Sequence, residues 1–181
     1  MTDLFFRQVN LDPRNTHLPD GLAPNVAAEC LAYEDRIREC GGIDLQLLGI
    51  GPDGHIGFNE PLSALRSRTR EKALTPVTRA ANAGPFGGDP ERVPPRAITM
   101  GVGTILDSRR CLMLVTGAAK ADILAKAVEG PITAMVSASA LQLHPHCRVI
   151  ADETAAAGLQ GLDYYRWMFA NEPEWAEFRA V

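Results

Sequence analysis

The 181-residue sequence predicts an α/β fold in three layers, a mostly parallel sheet with helices on both faces. Two observations carry that expectation. Short, continuously apolar runs of strand length recur along the chain, as strands buried on both faces require. Between them lie stretches with apolar residues at helical spacing, the alternation that a parallel sheet with crossover helices imposes.

Leu4, Phe5, Phe6 and Val9 resemble the apolar face of a helix with nothing before it to cap it, which reads as a chain starting inside an element. Val26 to Cys40 has Val26, Ala27, Cys30, Leu31 and Ile37 at helical spacing, and Gly41-Gly42 stops it. Ile43 to Ile50 follows as a strand, and Ala97 to Met100, Cys111 to Val115 and Cys147 to Ala151 are three more. Helices are expected at Gly103 to Ser108, Ala118 to Glu129 and Leu162 to Ala170, the last with Tyr164, Trp167 and Met168 on one face. Ala83 to Pro95 is a long Gly/Pro loop of the kind that is usually functional or mobile.

Composition narrows the function classes. Lys and Arg number 18 against 22 Asp and Glu, a net charge of −4, so the cationic excess of a general nucleic-acid binder is missing. With 16 glycines and 13 prolines the chain is turn-rich but short of low-complexity disorder. No run approaches the ~18 apolar residues of a membrane helix. The N-terminus carries Asp3 where a signal peptide would be basic, so a cytoplasmic protein with no membrane partner is expected. Cys30, Cys40, Cys111 and Cys147 are widely spaced and read as reduced thiols.

The chemistry concentrates in Gly49-Ile-Gly-Pro-Asp-Gly-His-Ile-Gly-Phe-Asn-Glu-Pro61, just after a predicted strand, where α/β sheets place their ligands. Asp53, His55 and Glu60 fall within eight positions. A histidine flanked by two carboxylates suits proton transfer near neutral pH, one acid orienting the imidazole and the other relaying the proton. Three other readings compete. Gly49-x-Gly51-x-x-Gly54 formally matches a dinucleotide fingerprint, but Pro52 sits inside a stretch that should open a helix. Asp53, His55 and Glu60 could ligate a metal, although only one histidine is present. The third is a loop holding a hydrogen-bonded histidine without catalysis. His144-Pro-His146 offers too few ligands for a metal and reads as structural. Arg66, Arg68, Arg70 and Lys72 alternate, so an extended backbone would set four cations on one face, either a solvated strip or an anion site.

The run LLGIGPDGHIGFNEP closely resembles the signature of glucosamine-6-phosphate deaminases, also called isomerases. The similarity continues through Ser67-Arg-Thr-Arg70, Met100-Gly-Val-Gly-Thr104, Ala127-Val-Glu-Gly130, Ala138-Ser-Ala-Leu-Gln-Leu-His-Pro145 and Tyr164-Tyr-Arg-Trp167, so it covers essentially the whole chain in order. 6-Phosphogluconolactonases share the fold and a Gly-x-Asp-Gly-His motif, which usually continues Thr-Ala-Ser-Leu-Phe; here it continues Ile56-Gly-Phe-Asn-Glu60.

The resemblance implies a Rossmann-like sheet and conversion of glucosamine 6-phosphate and water to fructose 6-phosphate and ammonia. It puts Asp53, His55 and Glu60 in ring opening, Lys120 on the substrate phosphate, and requires no metal or organic cofactor. It also implies a homo-oligomer, with an effector site matched by Ser63, Arg70, Lys72 and Tyr164. Ala64 and Ala73 replace hydroxyl residues of that site, and Gly84 stands where the family commonly has an arginine. The family's Gly-Gly-Thr phosphate loop and Met-Asp-Glu-Tyr acid, which abstracts the C2 proton, do not occur here. Residues 1–181 therefore read as one partial domain lacking its first βα units, with Met1 an internal methionine of a longer parent. Such a chain would expose apolar surface and an unpaired sheet edge, so poor solubility or oligomerisation is expected. Two alternatives stand beside the deaminase: an inactive remnant that binds sugar phosphate or another subunit, and a lactonase-like hydrolase.

Overall fold

The computed structural model describes residues 3–179. Asn25 opens the first helix, α1 (Val26–Glu39), because its side-chain oxygen accepts the Ala28 N–H at 3.0 Å, satisfying one of the donors a helix start leaves free. Then follow β1 (Gln46–Leu48), β2 (Arg70–Ala73), α2 (Pro76–Ala81), β3 (Arg96–Thr99), α3 (Val102–Leu106), β4 (Cys111–Val115), α4 (Ala121–Val128), β5 (Cys147–Ala151), α5 (Glu153–Ala156) and α6 (Leu162–Asn171).

Three of the strands form a parallel sheet in the order β1-β4-β5. Register sets its two faces. Leu48 lies opposite Met113, which lies opposite Val149, and the alternation sends Leu48, Cys111, Met113 and Val115 inward. They pack with Ile56, Ile105, Ile123, Leu124 and Ala138 into one core. Met113 and Leu124 are fully buried, each contributing about 1.5–3 kcal/mol by leaving water. The opposite face carries Leu47, Leu114 and Ile150, which are 58%, 44% and 58% exposed. Near its lower end a 3-10 segment, Pro173–Phe178, lays Phe178 over the Arg148 guanidinium at 4.4 Å.

β4 and β5 have the boundaries expected from their apolar runs. Elsewhere the chain differs. The Ile43 to Ile50 run yields a strand of three residues, since only Gln46–Leu48 meets β4 in register. The run at Ala97 forms β3, but it pairs antiparallel with β2 in a separate two-stranded sheet, its half-exposed pattern unlike a doubly covered strand. The apolar N-terminal residues make only a 3-10 turn, Phe6–Gln8, with Leu4 88% exposed. The Gly/Pro loop folds into two 3-10 turns, Gly84–Phe86 and Pro90–Arg92, and buries Ala83 and Val93. Ala118 to Glu129 starts as a 3-10 turn before α4. The four cysteines are unpaired. Among the described residues no helix is long and apolar enough to cross a membrane.

The four-cation face does not form. Arg68 turns onto Glu34 of α1, its Nε and Nη2 donating to Oε2 at 3.0 and 2.6 Å, and also pairs with Asp107. The other Glu34 oxygen accepts the Thr69 N–H at 2.8 Å and the hydroxyls of Thr69 and Thr104 at 2.5 and 2.6 Å. Glu34 thus joins α1, the entry to β2, and α3. Burial works to raise its pKa, but the hydrogen bonds from Thr104, Thr69 and Arg68 outweigh it and hold the carboxyl below the ordinary value.

Glu34→Gln strands part of this network and is expected to cost about 2–3 kcal/mol in denaturant unfolding at neutral pH. A carboxyl depressed in the native state stabilises above its unfolded pKa, and that contribution fades as pH falls through the native value. The stability gap between wild type and variant should therefore shrink in acid; a gap that is constant with pH would contradict this assignment.

Candidate active site

The site starts where β1 ends. The Gly51 N–H donates to the His55 carbonyl at 2.8 Å and the Gly54 N–H to the Gly51 carbonyl at 3.0 Å, closing a tight turn. Two glycines are required by contact. A Cβ on Gly51 would lie 2.3–2.5 Å from the His55 ring, so the imidazole rests across bare backbone. Gly54 has φ +86, and a Cβ there would meet Val136 at 2.6 Å and Ile123 at 2.9 Å.

Buried polar contacts hold the rest of the loop. The Ile56 N–H donates to Ser137 Oγ at 3.2 Å, and that hydroxyl donates to the Asn59 carbonyl at 2.8 Å. The Phe58 N–H donates to Thr99 Oγ1 at 3.0 Å, at the end of β3. Asn59 is fully buried; its Nδ2 donates to the carbonyls of Ile56 and Met100 at 2.9 and 2.8 Å, while its Oδ1 accepts from Arg70 at 2.9 Å. The loop leaves through Leu62, a non-glycine at φ 68, a conformation that costs about 1 kcal/mol or more.

Asp53, His55 and Glu60 come together. His55 Nδ1 is 2.6 Å from Asp53 Oδ1 and 3.5 Å from Glu60 Oε2. His55 and Glu60 are 7% and 3% exposed, and Asp53 is half-buried. Glu60 Oε1 accepts from the Thr75 N–H at 3.1 Å and the Thr75 hydroxyl at 3.3 Å. Its Oε2 has no hydrogen-bond donor, and His55 Nδ1, although close to Asp53, makes no aligned hydrogen bond. Burial pushes the Asp53 carboxyl up, but its contact with Glu60, the His55 ring beside it and the His55 backbone N–H, which donates to Oδ1 at 3.2 Å, prevail, so it stays below the ordinary value. An imidazole between two carboxylates can take up a proton, hold it and return it without free water.

Lys120 reaches the same turn, its Nζ donating to the Ile50 carbonyl at 2.6 Å. Ser63 is buried with an unpartnered hydroxyl, and its N–H donates to the Glu60 carbonyl at 3.1 Å. Arg70 and Lys72 share the half-buried face of β2, and burial lowers the Arg70 pKa. Tyr164 is not joined to them by any hydrogen bond among the described residues; on α6 it stacks on Trp167 with ring centroids 6.2 Å apart, and both rings are exposed. Gly84 opens its 3-10 turn facing open space, with no atom within 4 Å of where a Cβ would point, so a side chain would fit there. His144 is structural as expected, its Nε2 bonded to the Ser108 carbonyl at 2.8 Å and its Nδ1 accepting the His146 N–H at 3.0 Å. The glycines of the would-be dinucleotide fingerprint open no helix.

Asn59 joins the site from within the signature run, while Thr75, Thr99 and Ser137 join it without a signal in the sequence that marks them for it. Thr75-Pro76 carries a helix-start signal, and Thr75 Oγ1 does accept the Thr78 N–H at 3.2 Å. Nothing in the sequence links that cap to Glu60.

Residues 1–153 match the family model described as glucosamine-6-phosphate isomerases/6-phosphogluconolactonase. The chain belongs to this family. A glucosamine-6-phosphate deaminase from Streptomyces coelicolor is 56% identical over 157 residues, which are 87% of this chain and 60% of the relative. One from Hahella chejuensis is 54% identical over 168 residues, 93% of this chain and 64% of the relative. Among solved structures, a monomeric glucosamine-6-phosphate deaminase superposes with TM-score 0.84 at 44% identity, covering 87% of this chain and 65% of that one. A 6-phosphogluconolactonase from Trypanosoma cruzi shares the fold, with TM-score 0.58 at 21% identity over 77% of this chain and 54% of that one. The chain thus spans about 60–64% of the length of these two deaminases.

Gly51→Ala is expected to drive the imidazole off its backbone seat. Acylation of His55 by diethyl pyrocarbonate, followed by mass spectrometry, should accelerate several-fold, while His144 stays unreactive as an internal control. Unchanged His55 reactivity would contradict the close packing of ring on glycine.

Proposed function

We propose that these residues form the ring-opening part of a glucosamine-6-phosphate deaminase, which converts glucosamine 6-phosphate and water to fructose 6-phosphate and ammonia. The observation that carries the reading is the buried imidazole of His55 held between Asp53 and Glu60 at the end of β1. Relatives named as deaminases at 54–56% identity support the same reading.

In this reading His55 moves the proton between the sugar's anomeric hydroxyl and its ring oxygen. The ring C–O bond breaks, the hydroxyl becomes the aldehyde carbonyl, and the released proton reaches the former ring oxygen. Asp53, held ionised, orients the imidazole from 2.6 Å. Glu60, braced by Thr75, stands on the second side to orient it and relay the proton. Lys120 Nζ supplies positive charge at the Ile50 carbonyl for the phosphate. No Gly-Gly-Thr loop or Met-Asp-Glu-Tyr acid occurs among the 181 residues, so abstraction of the C2 proton is assigned to none of them. Handling a phosphorylated sugar fits a cytoplasmic protein.

Self-association through the open sheet face is part of the proposal, motivated by exposed Leu47, Leu114 and Ile150. A sugar-phosphate effector would meet Ser63, Arg70, Lys72 and Tyr164. Sedimentation velocity is expected to show an oligomer that Ile150→Lys weakens; a monodisperse monomer would contradict it.

The catalytic assignment is tested in a chimera that adds the remaining length of a full relative to this chain. Ammonia release from glucosamine 6-phosphate is expected, and His55→Gln should lower it by about 10²–10⁴-fold. Gly84→Arg should lower KM roughly tenfold, the value of one charge-assisted hydrogen bond to phosphate. A folded chimera that hydrolyses 6-phosphogluconolactone and releases no ammonia would replace the deaminase reading with the lactonase one.

A further inference from the structure

Two deeply buried polar atoms in this chain face each other without a hydrogen-bond partner, His55 Nδ1 and Glu60 Oε2. Leaving such an atom unsatisfied costs about 1–3 kcal/mol. They are 3.5 Å apart, and Asp53 Oδ1 lies 2.6 Å from the same nitrogen. All three ligand atoms fall within 4.8 Å of one another. One centre placed among them would meet every one.

We propose that Asp53, His55 and Glu60 bind one divalent transition cation of the zinc class, which occupies the acid–base set and silences it. The reasons are geometric and chemical. Bonds of ~2.0–2.2 Å to nitrogen and oxygen put tetrahedral ligand atoms about 3–3.5 Å apart. The His55–Glu60 separation already has that value, and the His55–Asp53 separation must open by less than an ångström. Asp53 can yield because it is the half-buried member, 26% exposed at its side chain, and it also gives the ion its way in. Glu60 is held ready by Thr75 on its other oxygen, an outer contact that orients a ligand. A single imidazole with two carboxylates suits zinc, cobalt or nickel; magnesium prefers a nearly octahedral shell of oxygens and keeps its waters. Three protein ligands leave one position for water. With its nitrogen lone pair on the metal, His55 no longer passes protons through Nδ1. The metal is a blocker here rather than a cofactor.

Cobalt(II) titration of the 181-residue chain, followed by visible absorption, tests this. One equivalent is expected to bind with ligand-field bands and no thiolate charge-transfer band, displaced by zinc and not by excess magnesium. His55→Gln and Glu60→Gln, checked for unchanged far-ultraviolet circular dichroism, should each weaken binding at least about tenfold. If either variant fails to fold, Asp53→Asn, at the half-exposed ligand, takes its place. Absence of the bands, a thiolate band from Cys30, Cys40, Cys111 or Cys147, or affinity unchanged in folded variants would overturn the site. The binding assay is independent of the enzymatic reading. Zinc that binds but leaves ammonia release intact in the chimera would count against the role given to His55 and not against the metal site.

Discussion

Everything in this chain that bears on chemistry depends on keeping an imidazole buried between two carboxylates. Two acids beside one another in a protein interior repel unless a proton or a cation lies between them, and burial alone would drive them toward neutrality. The His55 ring stands between them, its Nδ1 2.6 Å from Asp53 Oδ1 and 3.5 Å from Glu60 Oε2. Its position is specified by three separate constraints: the missing side chain at Gly51, the short reach from Asp53 Oδ1 to Nδ1, and the grip of Thr75 on the far oxygen of Glu60. Change any one and the imidazole is crowded off its seat, as by a Cβ on Gly51, or loses a group that orients it.

The fold provides those constraints from elements far apart in sequence. β1 delivers the turn at its carboxyl end, the usual ligand side of a parallel sheet. Ser137, some eighty positions later, bonds both Ile56 and Asn59, and Thr99 at the end of β3 bonds Phe58. Asn59 then passes the order outward to Arg70. Behind this, Glu34 fastens α1 to Arg68, Thr69 and Thr104, which sets where β2 begins. An acid in the middle of an amphipathic helix therefore acts as an anchor of tertiary structure.

Local signals in the sequence report local structure well. The runs Cys111–Val115 and Cys147–Ala151 become parallel neighbours with those boundaries: the first is the central strand and reads as an unbroken apolar stretch, while the second lies at the end of the three-strand order and carries exposed Arg148, Val149 and Ile150. Asp53, His55 and Glu60 are legible as a set because one short loop carries all three. Information carried by partners is not legible. The pairing of β3 with β2 depends on the antiparallel register Arg70–Thr99, which neither segment announces alone. Glu34 and Leu31 sit on one helix, yet the acid is 6% exposed and the leucine 67%, a reversal that only Arg68 and the two threonines explain.

The central claim is that His55, between its two acids, opens the sugar ring, independently of the group that later removes the C2 proton. Ring opening exposes an aldehyde whose oxygen exchanges with water, so the most direct measurement is the rate of ¹⁸O exchange at C1 of glucosamine 6-phosphate on the chimera. The account predicts exchange well above the uncatalysed rate, retained when the C2 base is removed and lost with His55→Gln. Exchange that survives His55→Gln unchanged would contradict it.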